Sequence, residues 1–231
     1  MSAADFDARG FAIVGDVVPA AARETLLRVF AQLLATGAGN RNGLRHPAVR
    51  ALAISPAVRT LVEPRLGDGA FAYRATLFDK TATANWMVAW HQDLMVPVRQ
   101  RRDIPGFGPW SRKAGTWFVQ PPAPALEQVV AVRIDLDGSD AERGALRVLP
   151  GTHRLGILPP ARVAELARTI EPVTCTVPVG GALSMRPLLL HASSRALQPS
   201  HRRIVHLEFA GQRLLGRDQD PAGLAFDDGV G

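Results

Sequence analysis

Two residues two positions apart, His91 and Asp93, and a third far downstream, His191, have the types and spacing to hold a metal ion. Residues i and i+2 of a strand point to the same side, so His91 and Asp93 can present an imidazole and a carboxylate together. A second imidazole from a distant strand completes two histidines and one carboxylate on one face of the ion. That donor set leaves coordination positions open and is the set that non-haem Fe(II) centres use. Arg202 follows His191. A carboxylate drawn out of water needs a paired charge, and the planar guanidinium can grip both of its oxygens.

These residues need elements that converge. The chain opens with a short strand candidate at 10–14. Helical spacing of Leu26, Leu27, Phe30, Leu33 and Leu34 predicts a helix over 20–35, ended by Gly37 and Gly39. Ser55-Pro56 opens a second helix over 57–63, which Pro64 should stop. The texture then changes. Segments 71–78, 128–136, 145–149, 173–177, 182–190 and 203–209 read as strands, punctuated by Asp137-Gly138, Pro150-Gly151 and Gly180-Gly181, and 161–168 reads as a short helix. The expectation is a mainly β protein with flanking helices: one domain over 1–231, with a helical part at roughly 16–66, a β-roll core at roughly 69–211 and a loosely held tail at 218–231. A two-sheet jelly roll of this kind brings an early strand and a late strand to one mouth, as the spacing of the three ligands requires.

Segment 96–125 resists assignment. It holds six prolines together with Phe107, Trp110, Trp117 and Phe118. Beside a metal strand it is either a lid whose Trp110 and Trp117 line a substrate pocket or a rigid excursion whose aromatics plug the domain.

Composition narrows the class. The chain has 231 residues, 47% hydrophobic and 21% charged, with a formal net charge of +6, which suits a globular domain with a real core. No apolar run is long enough to cross a bilayer. The N-terminus MSAADFDARGF lacks the pattern of a secretory signal, and the single Cys175 has no internal partner, so the expected location is the cytoplasm. Cys175 sits in a β-rich stretch and reads as a small core residue. The arginines are scattered from Arg9 to Arg217, which favours a solvated surface over a nucleic-acid face.

Taken together, Trp90-His91-Gln92-Asp93, the run 143–153 (RGALRVLPGTH), Leu190-His191-Ala192-Ser193, Arg202-Arg203, Leu77-Phe78-Asp79-Lys80 and Gly10-Phe11-Ala12-Ile13-Val14 resemble the phytanoyl-CoA dioxygenase family of Fe(II)/2-oxoglutarate-dependent oxygenases. The order and spacing fit almost the whole chain. The resemblance implies a double-stranded β-helix (a cupin-like jelly roll), Fe(II) held by His91, Asp93 and His191, and 2-oxoglutarate and O2 as co-substrates. It also implies an arginine about eleven positions past the distal histidine that binds the far carboxylate of 2-oxoglutarate; Arg202 lies at that spacing. Ser193 can hydrogen-bond the same carboxylate, as in relatives. Adjacent strand residues face opposite ways, so only one of Arg202 and Arg203 looks inward. Alternation does not settle which, and the family spacing favours Arg202.

Other polar residues have two readings each. Lys80 either bridges at the rim or helps hold 2-oxoglutarate. Arg74, Thr76 and Phe78 share one face of a regular strand and can line the pocket. Arg133, on the same side as Asp135 and Asp137, either contacts ligand or pairs with Asp135. Gln92, Trp110 and Trp117 join Arg74 and Arg133 as candidate substrate contacts. His153 belongs to a structural turn, while His46, His201 and His206 read as surface or packing residues.

The expected activity is hydroxylation of an unactivated C–H bond in a small metabolite of acyl, amino-acid or natural-product type, with release of succinate and CO2. The Asp93 carboxylate speaks against halogenation, since related halogenases carry a small residue there. An AlkB-like nucleic-acid demethylase would have a further arginine six residues past the anchor, where this chain has Glu208. A non-catalytic metal-binding β-roll would ordinarily have lost a ligand. Neither a membrane partner nor an oligomeric state is legible.

Overall fold

The computed structural model describes residues 3–34, 37–198 and 200–211; the expected tail at 218–231 lies outside them. In chain order the elements are α1 (Ala3–Arg9), β1 (Phe11–Val14), α2 (Ala20–Leu33), β2 (Gly39–Asn40), α3 (Pro47–Ala53), α4 (Pro56–Leu66), β3 (Phe71–Lys80) and β4 (Val88–His91). They continue as β5 (Val96–Val98), β6 (Trp110–Lys113), β7 (Thr116–Val119), α5 (Ala123–Leu126), β8 (Val129–Asp135), β9 (Leu146–Val148) and α6 (Pro160–Thr169). Last come β10 (Val173–Thr174), β11 (Ala182–Met185), β12 (His191–Ser193) and β13 (Arg202–Ala210).

Two antiparallel sheets form the roll. The larger runs β1-β11-β8-β13-β3-β2 and the smaller β10-β9-β12-β4. The jelly roll is as expected and β1 falls on the strand expected at 10–14, but β2 lies inside the part expected to be helical; the two extend the large sheet at its edges. The expected strand at 182–190 is shorter: β11 ends at Met185, and β12, which starts at His191, belongs to the other sheet. After β11 a turn containing Pro187, which has no amide to donate, carries the chain across to β12.

Period-two alternation explains how the large sheet is covered. On β3, Ala75 and Leu77 point outward and join Val130, Val132 and Ile134 of β8 and Val205 and Leu207 of β13 under the helices. The helices answer with Leu26, Val29 and Phe30 from α2 and Val58 and Val62 from α4. A fully buried side chain such as Leu77 contributes on the order of 2 kcal/mol. Residues of the opposite parity are thereby sent into the roll.

Local signals set the helices. The Ser55 hydroxyl accepts from the Val58 amide to cap α4, and the His46 ring accepts from the Ala48 amide to cap α3. Pro64 does not stop α4, which runs to Leu66. It falls in the last turn, where its missing N–H costs a single helix bond.

The proline-rich segment after β4 is a third, three-stranded sheet, β5-β7-β6. Pro97 is tolerated because β5 is an edge.

Candidate iron and co-substrate site

The three expected ligands converge. β4 and β12 pair antiparallel with His91 directly opposite His191, which puts their ring centroids 4.1 Å apart. Asp93 is not on the strand, contrary to the i, i+2 argument, because β4 ends at His91. Its position comes instead from a loop anchored where its amide donates to the Pro187 carbonyl at 2.9 Å. The carboxylate then bridges the imidazoles, 3.6 Å from His91 Nε2 and 3.5 Å from His191 Nε2. One ligand atom from each residue lies within 4.8 Å of the other two.

Both imidazoles are locked in one tautomer. His91 Nδ1 donates to the Ala89 carbonyl at 2.8 Å and His191 Nδ1 to the Leu189 carbonyl at 2.9 Å. Each Nε2 therefore carries its lone pair toward Asp93, as a metal ligand requires. Burial lowers the His191 pKa to about 4, so this ring is neutral. Burial alone would also lower His91, but the adjoining Asp93 more than offsets it and the net shift is upward. Asp93 is held well below the usual carboxylate range: burial opposes its ionisation, and the two ligand histidines with His206 outweigh that.

The pocket over these residues has a volume of about 280 Å³. From β3 come Arg74, Thr76, Phe78 and Lys80, the expected face; Arg133 enters from β8, and Arg202 and His206 from β13. Arg202 points inward, whereas Arg203 turns out to a two-pronged pair with Asp137, at 2.6 and 2.8 Å. Asp137 is thus on the opposite side from Arg133, because β8 ends at Asp135 and the chain turns.

Arg202 donates Nη1 to the Gly144 carbonyl at 2.5 Å, and its buried Nε has no partner among the described residues. Lys80 Nζ donates to the Ser194 carbonyl at 2.8 Å and to Ser193 Oγ at 3.3 Å. Gly144 has φ +68°, and a Cβ there would stand 2.6 Å from the same Ser194 carbonyl. Burial, then Arg202 and Arg133, brings Lys80 down to about 8; burial, then Arg133, brings Arg202 down to about 10. Near them Asp135 is pushed up to about 6, chiefly by burial. The donor set at Asp93 and the unpartnered guanidinium nitrogen behind it suit a metal with a chelating dianion.

Sequence reasoning missed a second buried cluster. A bulge between β3 and β13 leaves Tyr73 without an opposite residue, so Tyr73 and Arg74 both address Glu208. Arg74 pairs with Glu208 through two nitrogens, and the Tyr73 hydroxyl donates to it at 3.2 Å. His206, expected on the surface or in packing, lies 3.8 Å from Glu208 and lines the pocket. Burial, then Arg133, lowers its pKa to about 3. The signal was present: Arg202, Ile204, His206 and Glu208 share one face of a strand.

Three expected substrate contacts are elsewhere. Gln92 is buried and spends its amide on the Gly156 and Leu188 carbonyls and the Leu158 amide, at 2.7–2.9 Å. It fixes the loop carrying Asp93. Trp110 and Trp117 meet edge to face at 6.5 Å and pack with Val96, Val98 and Leu188. Phe118, of opposite parity to Trp117, faces a different cavity. His153 is structural as expected, bonded to the Asp7 carbonyl.

A family model described as Phytanoyl-CoA dioxygenase (PhyH) matches residues 6–204. A search of curated proteins finds no significant match. Among solved structures, EctD from S. alaskensis in its apoform is 18% identical, with a TM-score of 0.72 over 98% of this chain and 85% of that one. The non-heme alpha ketoglutarate dependent epimerase SnoN from nogalamycin biosynthesis is 17% identical, with a TM-score of 0.67 over 94% and 90%. AviO1 from Streptomyces viridochromogenes Tue57 is 21% identical, with a TM-score of 0.63 over 95% of both chains. EctD has also been solved with 2-oxoglutarate and 5-hydroxyectoine. These likenesses establish a shared fold. The family match covers most of the chain, which therefore belongs to the phytanoyl-CoA dioxygenase family and is a 2-oxoglutarate-dependent, iron-using dioxygenase.

Proposed function

We propose that this member of the phytanoyl-CoA dioxygenase family hydroxylates an unactivated C–H bond of a small metabolite of acyl, amino-acid or natural-product type, releasing succinate and CO2. His91, Asp93 and His191 are the iron ligands in this reading, and Arg202, assisted by Ser193 and Lys80, receives the far carboxylate of 2-oxoglutarate. The observation that carries it is the convergence of the three ligand atoms within 4.8 Å beside a buried guanidinium nitrogen that has no partner among the described residues. That EctD has been crystallised with 2-oxoglutarate and a hydroxylated small molecule supports the substrate class.

Bound together, Fe(II), 2-oxoglutarate and O2 supply the oxidising chemistry for C–H cleavage. The chain's own residues do the positioning. The carbonyls of Ala89 and Leu189 hold both Nε2 atoms free for the metal. Asp93, kept ionised, contributes the negative charge. Lys80 and Arg202 neutralise the far carboxylate in a site largely shielded from water, where charge pairing is strong. Phe78, Trp86, Val88 and Leu146 form the apolar walls and limit water around the reacting carbon.

Asp93 favours hydroxylation over halogenation. Glu208, where an AlkB-like demethylase would have arginine, is committed to Arg74 and counts against nucleic acid as substrate. The buried lone Cys175 agrees with a cytoplasmic location. The test is anaerobic titration of iron-loaded protein with 2-oxoglutarate, followed by calorimetry and by the visible Fe(II) charge-transfer band. Saturable binding with growth of the band is expected in the wild type and its loss in Asp93→Ala; a wild type that binds no 2-oxoglutarate would exclude the reading.

A further inference from the structure

We infer that the substrate carries an anionic group, carboxylate or phosphoryl, and that this group lodges in a second cavity adjoining the iron pocket. The inference rests on the iron-site reading above. The second cavity holds about 450 Å³, against about 280 Å³ for the iron pocket, and is within the range of small-ligand sites. Arg41 and Arg74 line both, so a molecule reaching from one to the other passes these two guanidinium groups. The iron pocket has to accommodate a metal and a co-substrate, which leaves the bulk of a substrate to the larger space.

The charge of that space is one-sided. Among the described residues, Arg41, Arg45, Arg74 and Lys113 line it and no aspartate or glutamate does; Glu208, which pairs with Arg74, lies outside the lining. Here a strand, a loop and a hairpin each bring cations to one concavity, where low-dielectric walls focus the field and concentrate anions. Arg74 is held rigid by Glu208 and Tyr73, so little side-chain entropy is lost when it meets a ligand. Leu44, Pro97 and Phe118 supply apolar surface between the charges. The ligand that fits has an acidic group on an apolar body. A concavity of this volume suits a small molecule.

The experiment uses full-length protein carrying iron and 2-oxoglutarate without air, titrated by calorimetry with citrate, with inorganic pyrophosphate and with the neutral triethyl citrate. Either anion should bind, and triethyl citrate should bind at least tenfold more weakly; the better anion separates carboxylate from phosphoryl recognition. Arg45 and Lys113 line only the outer cavity. Arg45→Ser/Lys113→Ser should weaken the anion at least tenfold with 2-oxoglutarate affinity unchanged, and Arg45→Lys/Lys113→Arg should restore it. The remote exposed pair Arg28→Ser/Arg168→Ser controls for net charge and should change nothing. Equal binding of anion and ester, an unaffected Arg45/Lys113 variant, or an equal loss in the control pair would overturn the inference. So would preferential, steeply salt-dependent binding of a single-stranded oligonucleotide. Failure of 2-oxoglutarate to bind would strike the iron-site reading instead, and anion binding to the outer cavity would still be measured in the same titration.

Discussion

Lys80 and Arg202 stand directly opposite each other on paired antiparallel strands, and both reach into the iron pocket. Like charges at opposed strand positions repel, and burial raises the cost of each. A dianion between them relieves both penalties, so 2-oxoglutarate should stabilise the fold well beyond a neutral ligand. At a hundredfold excess over Kd, linkage adds about 2.7 kcal/mol, which for a chain of this size raises Tm by roughly 5–10 °C. Thermal melts with and without 2-oxoglutarate in iron-loaded, anaerobic protein measure this. Arg202→Met should lose most of the shift.

Lys80 makes co-substrate affinity pH-dependent. Its pKa in the free protein is about 8, and a bound carboxylate raises it, so binding is strongest where Lys80 is already protonated. Affinity for 2-oxoglutarate should be flat below about pH 8 and then fall by up to about tenfold per unit as Lys80 loses its proton. Lys80→Met should bind more weakly at pH 7 and show no downturn between pH 8 and 9. Calorimetric titrations across pH 7–9 separate the two proteins.

Gly144 couples the two anchors. Its carbonyl holds Arg202, and its missing Cβ lets the Ser194 carbonyl, which holds Lys80, come close. Gly144→Ala should strain a left-handed backbone position and push Ser194 away, costing about 1–3 kcal/mol of stability. 2-Oxoglutarate affinity should fall with it, although residue 144 is not itself a ligand. Chemical denaturation and co-substrate titration of the one variant check both.

The Arg74–Glu208 pair should matter more when broken than when replaced. Glu208→Gln leaves Arg74 buried without its counter-charge, and a loss of about 3 kcal/mol is expected. Arg74→Met/Glu208→Leu removes both charges and should recover much of it. A double-mutant cycle by urea denaturation gives the coupling. A Glu208→Gln protein as stable as wild type would show that the pair does not contribute to folding.

The candidate metal residues were legible because their chemistry is tied to residue type: few combinations besides two imidazoles and a carboxylate, with a following arginine, suit such a centre. The inward face of β3 was legible for a different reason, since Arg74, Thr76 and Phe78 obey a period that any regular strand imposes. Gln92, Trp110 and Trp117 were expected at the substrate because they are near the site in sequence, which does not fix nearness in space. Gln92 faces away from the metal residues beside it, and the β7 hairpin turns Phe118, not Trp117, toward a cavity. His206 and Glu208 went unrecognised because their role depends on which strand β13 pairs with, and in what register.

Composition and alternation were enough to read a mainly β roll with flanking helices, and residue type marked two imidazoles and a carboxylate as candidate metal ligands, because these follow from side-chain chemistry and strand period; the co-substrate and its arginine came from the family resemblance. The outward turn of Arg203 onto Asp137, the bulge that aims Tyr73 and Arg74 at one glutamate, and the sharing of Arg41 and Arg74 by two cavities came only with the folded chain. They depend on inter-strand register and on loops packed from distant segments, and neither is a property of any local stretch.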